Sequence, residues 1–530
     1  MSQVYDAVVI GGGHNGLIAG IRLSTAGWKV LVLERADRPG GAIFSDELTL
    51  PGFVHDGHST NHNLFLGSPF YAAHQADLER HGLRYAVSST PYANGFPDGR
   101  AIVAHQDVEA TVAGLDPADQ AGWRELDALY EQIAPMLFEI YAAPVPALAT
   151  ARPSLKLART LAGNRARLAE LTRLLLASSR DLGERHLATP EARAVLACWG
   201  MHLDFGPDVA GGAMFAFLEC FTDQRTGMAL VEGGASRMPE ALAALLRERG
   251  GELRTGAEVT SIEGRGGRAD AVTLAGGERI EASRAVIASV TPSALSRLLG
   301  GGPPEVRREA AAYRHGPGTM MVHLALDGPV PWRAPGLADA AYVHLAPYVD
   351  DLARTYTAAT TGTLPAEPLL VVGQTSAVDP SRAPAGQHVL WVQVRAVPAR
   401  PSRDEAGEID VADGSWEALA EPYAERVLDK LEAHAPGLRE RTLGRAVLTP
   451  ADLEAANPNL VGGDSISGSM HLSQSFVLRP RTRTAVDGLW LTGAATWPGP
   501  GINALPGDHT AAAVLAEARG PRRPWRRAAR

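Results

Sequence analysis

The chain has 530 residues, of which 45% are hydrophobic and 21% are charged, the profile of a soluble globular protein. It contains two cysteines, Cys198 and Cys220, so a disulfide framework, an all-cysteine zinc site and an iron–sulfur cluster are excluded. The net charge of -9 argues against nucleic acid as a bulk partner. No metal site is predicted, since nothing in the sequence places His58 and His62 on one helix.

A bacterial cytoplasmic location is the expectation. Residues 4–10 already have the character of a buried strand, which leaves no room for a targeting signal. The most apolar stretch, residues 194–221, is not expected to span a bilayer, because four polar residues interrupt it: His202, Asp204, Asp208 and Glu219. Residues 151–185 combine a basic excess with leucines at helical spacing, so peripheral contact with an anionic membrane stays open beside a solvated lid helix.

A glycine-rich turn follows the first strand and carries the strongest motif. Gly11-Gly12-Gly13-His14-Asn15-Gly16 precedes a helical stretch at 17–26 and an apolar strand at 29–33 that ends at Glu34. In this G-x-G-x-x-G unit Gly11 permits the tight turn, Gly13 admits a pyrophosphate and Gly16 allows close packing of the helix. Glu34 is placed to accept ribose hydroxyls. The unit predicts dinucleotide binding, with a glycine turn used only for packing as the alternative.

The dinucleotide is predicted to be FAD. Arg35 follows the acidic residue directly, and Gly40 and Gly41 then allow a loop to pass close to a cofactor. The glycines at 300–302 do not form a second unit, because prolines follow where a helix should begin. One dinucleotide site in a large chain favours tightly but non-covalently held FAD over a resident NAD(P).

The remaining elements alternate between strands and helices. Helices are predicted at 119–141, 155–180, 190–199, 238–249 and 416–433, and from about 507; strands are predicted at 252–254, 257–263, 271–274, 285–288, 319–326, 369–375, 388–396 and 489–492. The fold class is therefore an α/β, Rossmann-like FAD-binding domain built from discontinuous segments, with an α+β substrate domain. We expect the first domain at 1–85, 226–295 and 456–518, the substrate or lid domain at 86–225 and 296–455, and a disordered basic tail at 519–530.

The C-terminal block also has features that suit a cofactor. The strand at 489–492 ends at Gly493, where backbone can approach a ligand closely. The rigid Pro498-Gly499-Pro500-Gly501 turn then leads through Ile502 and Asn503 toward a helix. Free N–H groups at such a helix start favour negative charge on a flavin edge. A plain Pro/Gly loop is the alternative.

In these motifs the chain resembles the phytoene desaturase branch of the FAD-dependent amine oxidase superfamily, nearest to the pyridine nucleotide-disulphide oxidoreductase domain-containing protein 2 group (the carotenoid/retinoid oxidoreductase family). The matching segments are Gly11 to Gly16 with Glu34, Gly40-Gly41, Val231 to Gly234, Val259 to Ile262, Gly462 to Asp464, Arg479-Pro480 and Gly488 to Asn503. The resemblance implies that Arg35 and Val259 also contribute to the FAD site. Ala42 and His509 depart from the usual residues at their positions, and the carotenoid-type ending of the block is absent, which argues against a carotenoid substrate.

Three residues are candidates for roles near the reacting atoms. His58 belongs to a polar cluster at 55–62 that the resemblance places near the cofactor, and His is the usual proton carrier near neutral pH. Asp464 follows two glycines, and Trp497 adjoins the Pro/Gly turn. The structural alternatives are a hydrogen-bonded loop for His58, a turn for Asp464 and core packing for Trp497.

These features favour an FAD-dependent dehydrogenase or desaturase that takes a hydride from a small hydrophobic or amphiphilic substrate, with oxygen or a quinone as the electron acceptor. A flavin amine oxidase is the first alternative, although none of the three lysines, Lys29, Lys156 and Lys430, falls where such oxidases keep theirs. A flavin-free binding protein, like the prenyl-protein escort proteins of the same fold, is the second. The sequence does not indicate an oligomeric state.

Overall fold

A computed structural model describes residues 4–144, 165–346, 348–411 and 413–520, together with Leu155 and Arg159. Two seven-stranded sheets form its framework. In the first sheet the strand order is Val259–Arg265, Arg268–Leu274, Arg279–Ala288, Val4–Ile10, Val30–Leu33 and Glu252–Arg254, and Leu489–Leu491 pairs with Arg279–Ala288. The central strand Val4–Ile10 is parallel to both of its neighbours, as in dinucleotide-binding sheets.

Three helices cover one face of the first sheet: His14–Thr25, Arg237–Glu248 and Leu505–Arg519. Val30–Leu33 is buried along its whole length, because it is covered on both faces, which explains its continuous apolar run. A Cβ atom on Gly20 would lie 3.0 Å from a methyl group of Val32, so glycine lets the first helix approach this strand closely.

The second sheet has the strand order Thr442–Leu448, Gly318–Leu326, His388–Val397, Leu369–Gly373, Tyr342–Leu345, Tyr92–Gly95 and Ala101–Ala104. All its pairings are antiparallel except that of Tyr342–Leu345 with Tyr92–Gly95. One face of this sheet packs against the helix Trp416–His434. Because side chains alternate along a strand, the opposite face carries a second set of side chains, some of which pack against helices and some of which line a cavity.

A layer of helices completes the body that carries the second sheet. Its members are Val108–Ala113, Pro117–Tyr141, Arg165–Leu176, Ser179–His186, Pro190–Met201 and Gly212–Thr226. They share an apolar core that includes Trp123, Trp199 and Phe217. The side chains of Asp116 and Thr189 cap two of these helices by accepting hydrogen bonds from backbone N–H groups, which fixes where those helices begin.

Shorter elements connect these layers. The remaining strands pair as Ser45–Asp46 with His55–Asp56, Tyr85–Ser88 with Met228–Val231, and Thr363–Leu364 with Arg403–Asp404. The remaining helices are Asn63–Leu66, Pro69–Arg80, Pro292–Leu298, Pro304–Ala312, Val349–Thr360, Thr375–Val378, Leu438–Arg441 and Pro450–Ala456, with 3-10 turns at Pro335–Leu337, Pro380–Arg382, Val461–Gly463, Leu472–Gln474 and Phe476–Leu478.

Several predicted elements differ from those observed. The predicted helix at 155–180 is interrupted at Ser178, whose side chain caps a new helix, Ser179–His186, together with Asp181; residues 156–158 and 160–164 lie outside the described part of the chain. The last predicted strand residues, 374–375, begin a short helix instead. No helix among the described residues has both the length and the apolar character needed to cross a bilayer.

The glycines at 300–302 were a further point of difference. The expectation that prolines would prevent a helix there was wrong, because a helix begins at Pro304, where proline suits the first turn. A helix, Pro292–Leu298, precedes these glycines rather than a strand, so they still do not form a second dinucleotide unit. The predicted disordered tail also begins too early, since Arg519 ends the last helix; residues 521–530 lie outside the described chain.

Candidate active site

A continuous cavity of about 890 Å³ runs from the glycine-rich turn to the face of the second sheet that lies opposite the helix Trp416–His434. Gly11, Gly13 and Glu34 line one end, and Tyr342 and Arg395 line the other. The wall between them is largely apolar and comes from the helical layer: Leu137, Phe138, Tyr141, Leu203, Phe215 and Leu218. The cavity therefore joins a dinucleotide motif to an apolar chamber.

The glycine turn has the geometry of a phosphate cradle. Gly11 has a φ of 98°, which favours glycine, and a Cβ atom on Gly16 would lie 2.0 Å from the carbonyl oxygen of Gly11. Gly13 is different, because its φ is -67° and an added Cβ would meet no atom of another segment within 3.9 Å. No side chain caps the helix that starts at His14, so its N–H groups are available to an anion. Glycine at position 13 thus leaves space for a ligand rather than for protein atoms, and the turn fits a dinucleotide pyrophosphate.

Glu34 closes the same end of the cavity. Its carboxylate accepts hydrogen bonds from the backbone N–H groups of Gly12 at 2.7 Å and Ala36 at 2.9 Å. Each oxygen keeps a second lone-pair direction for a hydroxyl group. The side chain both shapes the turn and offers the acceptor that a ribose needs.

The segment after Glu34 borders the cavity as predicted. Arg35 lines it and donates to the carbonyl oxygen of Ala455 at 2.7 Å. Gly40 donates its N–H to the carbonyl of Gly12 at 3.0 Å, and Gly40 and Gly41 both have positive φ. Val259 also lines this end. These contacts bring the double glycine against the phosphate cradle.

The C-terminal block supplies the opposite side of the cofactor end. Gly493, Gly501 and Ile502 line the cavity. Asn503 does not line it; its amide oxygen accepts from the N–H of Leu505 at 3.0 Å and its amide nitrogen donates to the carbonyl of Gly501 at 3.2 Å. Asn503 therefore shapes the start of the last helix rather than facing a ligand.

His58 is the predicted catalytic candidate that the structure places in the cavity. It is 3% exposed, and its Nδ1 lies 2.8 Å from the hydroxyl of Ser59. Its Nε2 is buried without a hydrogen-bond partner. Burial lowers the pKa of His58 to about 4, with a smaller contribution from the cation of Arg395, so the ring is neutral at neutral pH. The ring can exchange a hydrogen bond with a ligand, but it is a weak base.

The two other candidates lie outside the cavity lining. The carboxylate of Asp464 accepts from the N–H groups of Gly316, Ile466 and Gly468, so it organises its own loop, as turn aspartates do. The indole of Trp497 donates to the carbonyl of Ala143 at 2.9 Å and packs on the ring of Phe476. The Pro/Gly turn itself faces the cavity in place of Trp497. Both residues thus correspond to their structural alternatives.

The sequence interpretation missed an acidic pair on the helix Gly212–Thr226. Glu219 and Asp223, one turn apart, both line the cavity. Asn61 and Asn63 donate to the two carboxylate oxygens of Asp223 at 3.0 and 2.6 Å. No hydrogen bond reaches the Glu219 carboxylate from the described residues. In the sequence Glu219 stands out only as an interruption of an apolar stretch, and that interruption is the signal that could identify it.

Burial sets the charge of this pair. It raises the pKa of Glu219 to about 8, and the neighbouring Asp223 adds to the shift. Burial likewise raises the pKa of Asp223 to about 7, against the opposing hydrogen bonds from Asn63 and Asn61. Burial therefore keeps both carboxyl groups protonated to higher pH than exposed acids, a perturbation that is common at functional sites.

The sheet end of the cavity was also missed. Tyr342 and Trp391 stack with ring centres 5.6 Å apart and planes 9° from parallel, and the hydroxyl of Tyr342 is hydrogen-bonded to Thr60. Gln393 and Arg395 follow Trp391 on the same face of the strand. Strand periodicity alone could not show which face of this strand meets the cofactor domain. Among the described residues, no group of three or more His, Cys, Asp or Glu side chains is arranged to hold a metal ion.

Comparison with known proteins agrees with this geometry. The model of the family described as flavin containing amine oxidoreductase matches residues 16–409. Pyridine nucleotide-disulfide oxidoreductase domain-containing protein 2 of Rattus norvegicus is 28% identical, over 96% of this chain and 93% of its own. Hydroxyneurosporene desaturase of Cereibacter sphaeroides is also 28% identical, over 97% of this chain and 98% of its own.

A solved structure of a putrescine oxidase redesigned in its cofactor binding superposes with a TM-score of 0.62 at 19% identity, covering 98% of this chain and all of the other. The chain belongs to the flavin containing amine oxidoreductase family. The predicted resemblance and fold class are confirmed, and the protein is an FAD-dependent oxidoreductase.

Proposed function

We propose that the protein is a dehydrogenase or desaturase that holds FAD non-covalently and acts on a hydrophobic or amphiphilic molecule. The observation that carries the proposal is the single cavity in which the dinucleotide motif opens directly into an apolar chamber. FAD, when bound, supplies an acceptor for a hydride from a substrate C–H. Neither cysteine lines the cavity, so a cysteinyl link to the flavin has no residue to form it there.

The chain's own residues then orient the substrate and handle its proton. Apolar walls such as Phe215 and Leu218 exclude water from the reacting carbon. Forming a C–C double bond releases one proton for each hydride, and Glu219 is a cavity acid beside the apolar wall whose carboxylate accepts no hydrogen bond from the described residues. Burial raises its pKa, so its ionised carboxylate is a stronger base than that of an exposed glutamate.

The amine oxidase alternative has weaker support. No lysine lines the cavity in the described part of the chain. Lys29 lies over the ring of Tyr5, and Lys430 pairs with Glu367 at 3.2 Å on a helix behind the second sheet. Lys156 lies outside the described residues.

Oxygen or a quinone remains our proposal for the electron acceptor. The support is that the glycines at 300–302 lie between two helices, so the described chain has one dinucleotide unit. NADPH should therefore fail to reduce the flavin at a rate that matches turnover.

Anaerobic flavin bleaching tests the proposal. The purified protein should be yellow and release FAD in acid. An isoprenoid, cyclic ketone or fatty acyl compound should bleach it, whereas polyamines should not. Leu218→Glu should weaken substrate binding at least about 10-fold, because it places a charge in the apolar wall. Leu443→Glu, at an exposed leucine, is the matched control. Bleaching by polyamines alone would establish the amine oxidase instead.

A further inference from the structure

The guanidinium of Arg395 is a buried cation in the wall of the apolar chamber. It lies on the strand His388–Val397, where Trp391, Gln393 and Arg395 share the face that lines the cavity. The intervening Val392 and Val394 belong to the apolar core on the opposite face. The alternation of the strand therefore fixes the guanidinium in the cavity wall.

The guanidinium is incompletely satisfied by the protein. Its Nη1 donates to the carbonyl oxygen of His202 and to the hydroxyl of Ser465, both at 3.1 Å. Its Nε is buried and has no partner. No carboxylate of the described residues comes within the 4.0 Å that defines an ion pair. Glu219 and Asp464 are among the acidic groups that act on it from longer range.

Other buried arginines do not share this situation. Arg382 pairs with Asp56 at 2.8 Å, and Arg426 pairs with Asp404 at 2.6 Å. Arg479 lacks such a carboxylate, but it donates to backbone carbonyls, among them that of Ala494 at 2.6 Å. Because a buried cation is costly unless it is paired, the unpaired donors of Arg395 indicate a missing anionic partner.

Neutral donors surround this cation. Burial lowers the pKa of Arg395 to about 10, so it keeps its charge at neutral pH. Its positive charge in turn helps to lower the pKa values of His58 and His344. The buried Nε2 of His58 has no partner, and the amide of Gln393 also borders the cavity. The site thus combines one positive charge with uncharged hydrogen-bonding groups, while the acids Glu219 and Asp464 act on it only from beyond ion-pair distance.

We propose that Arg395 binds the carboxylate head group of an amphiphilic substrate whose apolar chain occupies the chamber. This inference rests on the proposed function and specifies its substrate class. A carboxylate carries one negative charge and two oxygens in a plane, which a guanidinium binds in a fork. A phosphate dianion would leave one charge uncompensated beside Glu219 and Asp223. Monoanionic carboxylates are therefore preferred.

The test compares decanoate with 1-decanol, two probes that differ only at the head group. Isothermal titration calorimetry on the FAD-loaded protein should give a Kd for decanoate at least about 10-fold lower than for 1-decanol. Arg395→Gln should abolish this preference, whereas Arg395→Lys should retain part of it. Arg297→Gln, which removes another cavity-lining arginine, is the control and should preserve the preference.

Equal binding of the two probes to the wild-type protein would overturn the proposal, and so would a preference that survives in Arg395→Gln. If Arg395→Gln does not fold, the proposal is tested by the ratio of the Kd values for 1-decanol and decanoate. This ratio should be at least about 10 in the wild-type protein and smaller in Arg395→Lys. A protein that is purified folded but cannot bind FAD would refute the proposed function. The FAD-loaded protein could prefer decanoate although no carboxylic acid reduces its flavin. That outcome would support the carboxylate-binding site at Arg395 and refute only the proposal that such acids are substrates.

Discussion

At the scale of single residues, Gly13 and Gly16 of the G-x-G-x-x-G motif have different roles. A side chain at Gly16 would collide with the carbonyl oxygen of Gly11, whereas one at Gly13 would meet no other segment within 3.9 Å. Sequence reasoning predicted both roles from the spacing of the motif; the close packing of Gly16 is observed, and the pyrophosphate role of Gly13 stays a prediction. It could not identify Glu219 or Arg395, because their importance depends on which face of a helix or strand meets the cavity.

Gly13→Ala should therefore separate binding from folding. We expect the apoprotein to lose no more than about 1 kcal/mol of stability, because the position precedes a helix and has space. FAD affinity should fall at least about 10-fold, since the methyl group occupies the pyrophosphate position. Gly16→Ala is the control and should destabilise the apoprotein by about 1–3 kcal/mol. FAD fluorescence titration and thermal unfolding measure the two effects; unchanged FAD affinity in Gly13→Ala would contradict the cradle.

The raised pKa of Glu219 predicts a pH dependence of stability. The folded pKa of about 8 lies above the ordinary value of 4.5, so the folded state binds more protons between these values. Stability should accordingly fall as pH rises from about 5 to about 8. Glu219→Gln should remove part of that loss. The thermal unfolding midpoint of the variant should therefore rise relative to that of the wild type as the pH increases. The control Glu184→Gln, at an exposed residue, should show no such change relative to the wild type. If the difference in unfolding midpoint between Glu219→Gln and the wild type stays constant with pH, the raised pKa of Glu219 is refuted.

At the scale of elements, a buried ion-pair cluster joins the part of the chain around the first sheet to the part that carries the second sheet. Arg382 has no exposed side-chain surface and contacts Asp56 at 2.8 Å and Asp379 at 3.2 Å. These acids in turn accept from the N–H groups of Ala235 and Gly233 at 2.8 and 2.7 Å. The cluster thus anchors the turn after Met228–Val231. The sequence predicted that turn from its glycines, but it could not predict a partner almost 150 positions away.

Arg382→Met should be strongly destabilising, because it leaves two buried carboxylates without their cation. We expect a loss of about 3–5 kcal/mol. Arg439→Met, which breaks pairs with Glu425 and Asp429 on the surface, should cost less than about 1 kcal/mol. Calorimetric unfolding of the two variants measures the contrast, and similar losses would argue against a special role for the cluster.

At the scale of the whole molecule, the strands and helices near both ends of the chain were predicted within a few residues. Their signal is local: an apolar run, a glycine turn and a helix in fixed order. The sequence predicted a substrate domain at 86–225 and 296–455 and a hydrophobic substrate, but not which side chains of the helical layer and of the second sheet form the chamber wall. Such surfaces arise from packing between distant segments, which a single sequence does not record.

The reactivity of the two cysteines of the helical layer can report when this layer separates from the second sheet. Cys198 and Cys220 are fully buried free thiols that contact Asn94 and Tyr92 of the second sheet. Burial raises the pKa of Cys198 to about 12 and that of Cys220 further, so alkylation must wait until the layer separates from the sheet. Labelling by iodoacetamide, followed by mass spectrometry, should be slow in the native protein and slower still when FAD or decanoate fills the adjoining cavity. The rate of alkylation would then measure how often the helical layer separates from the second sheet.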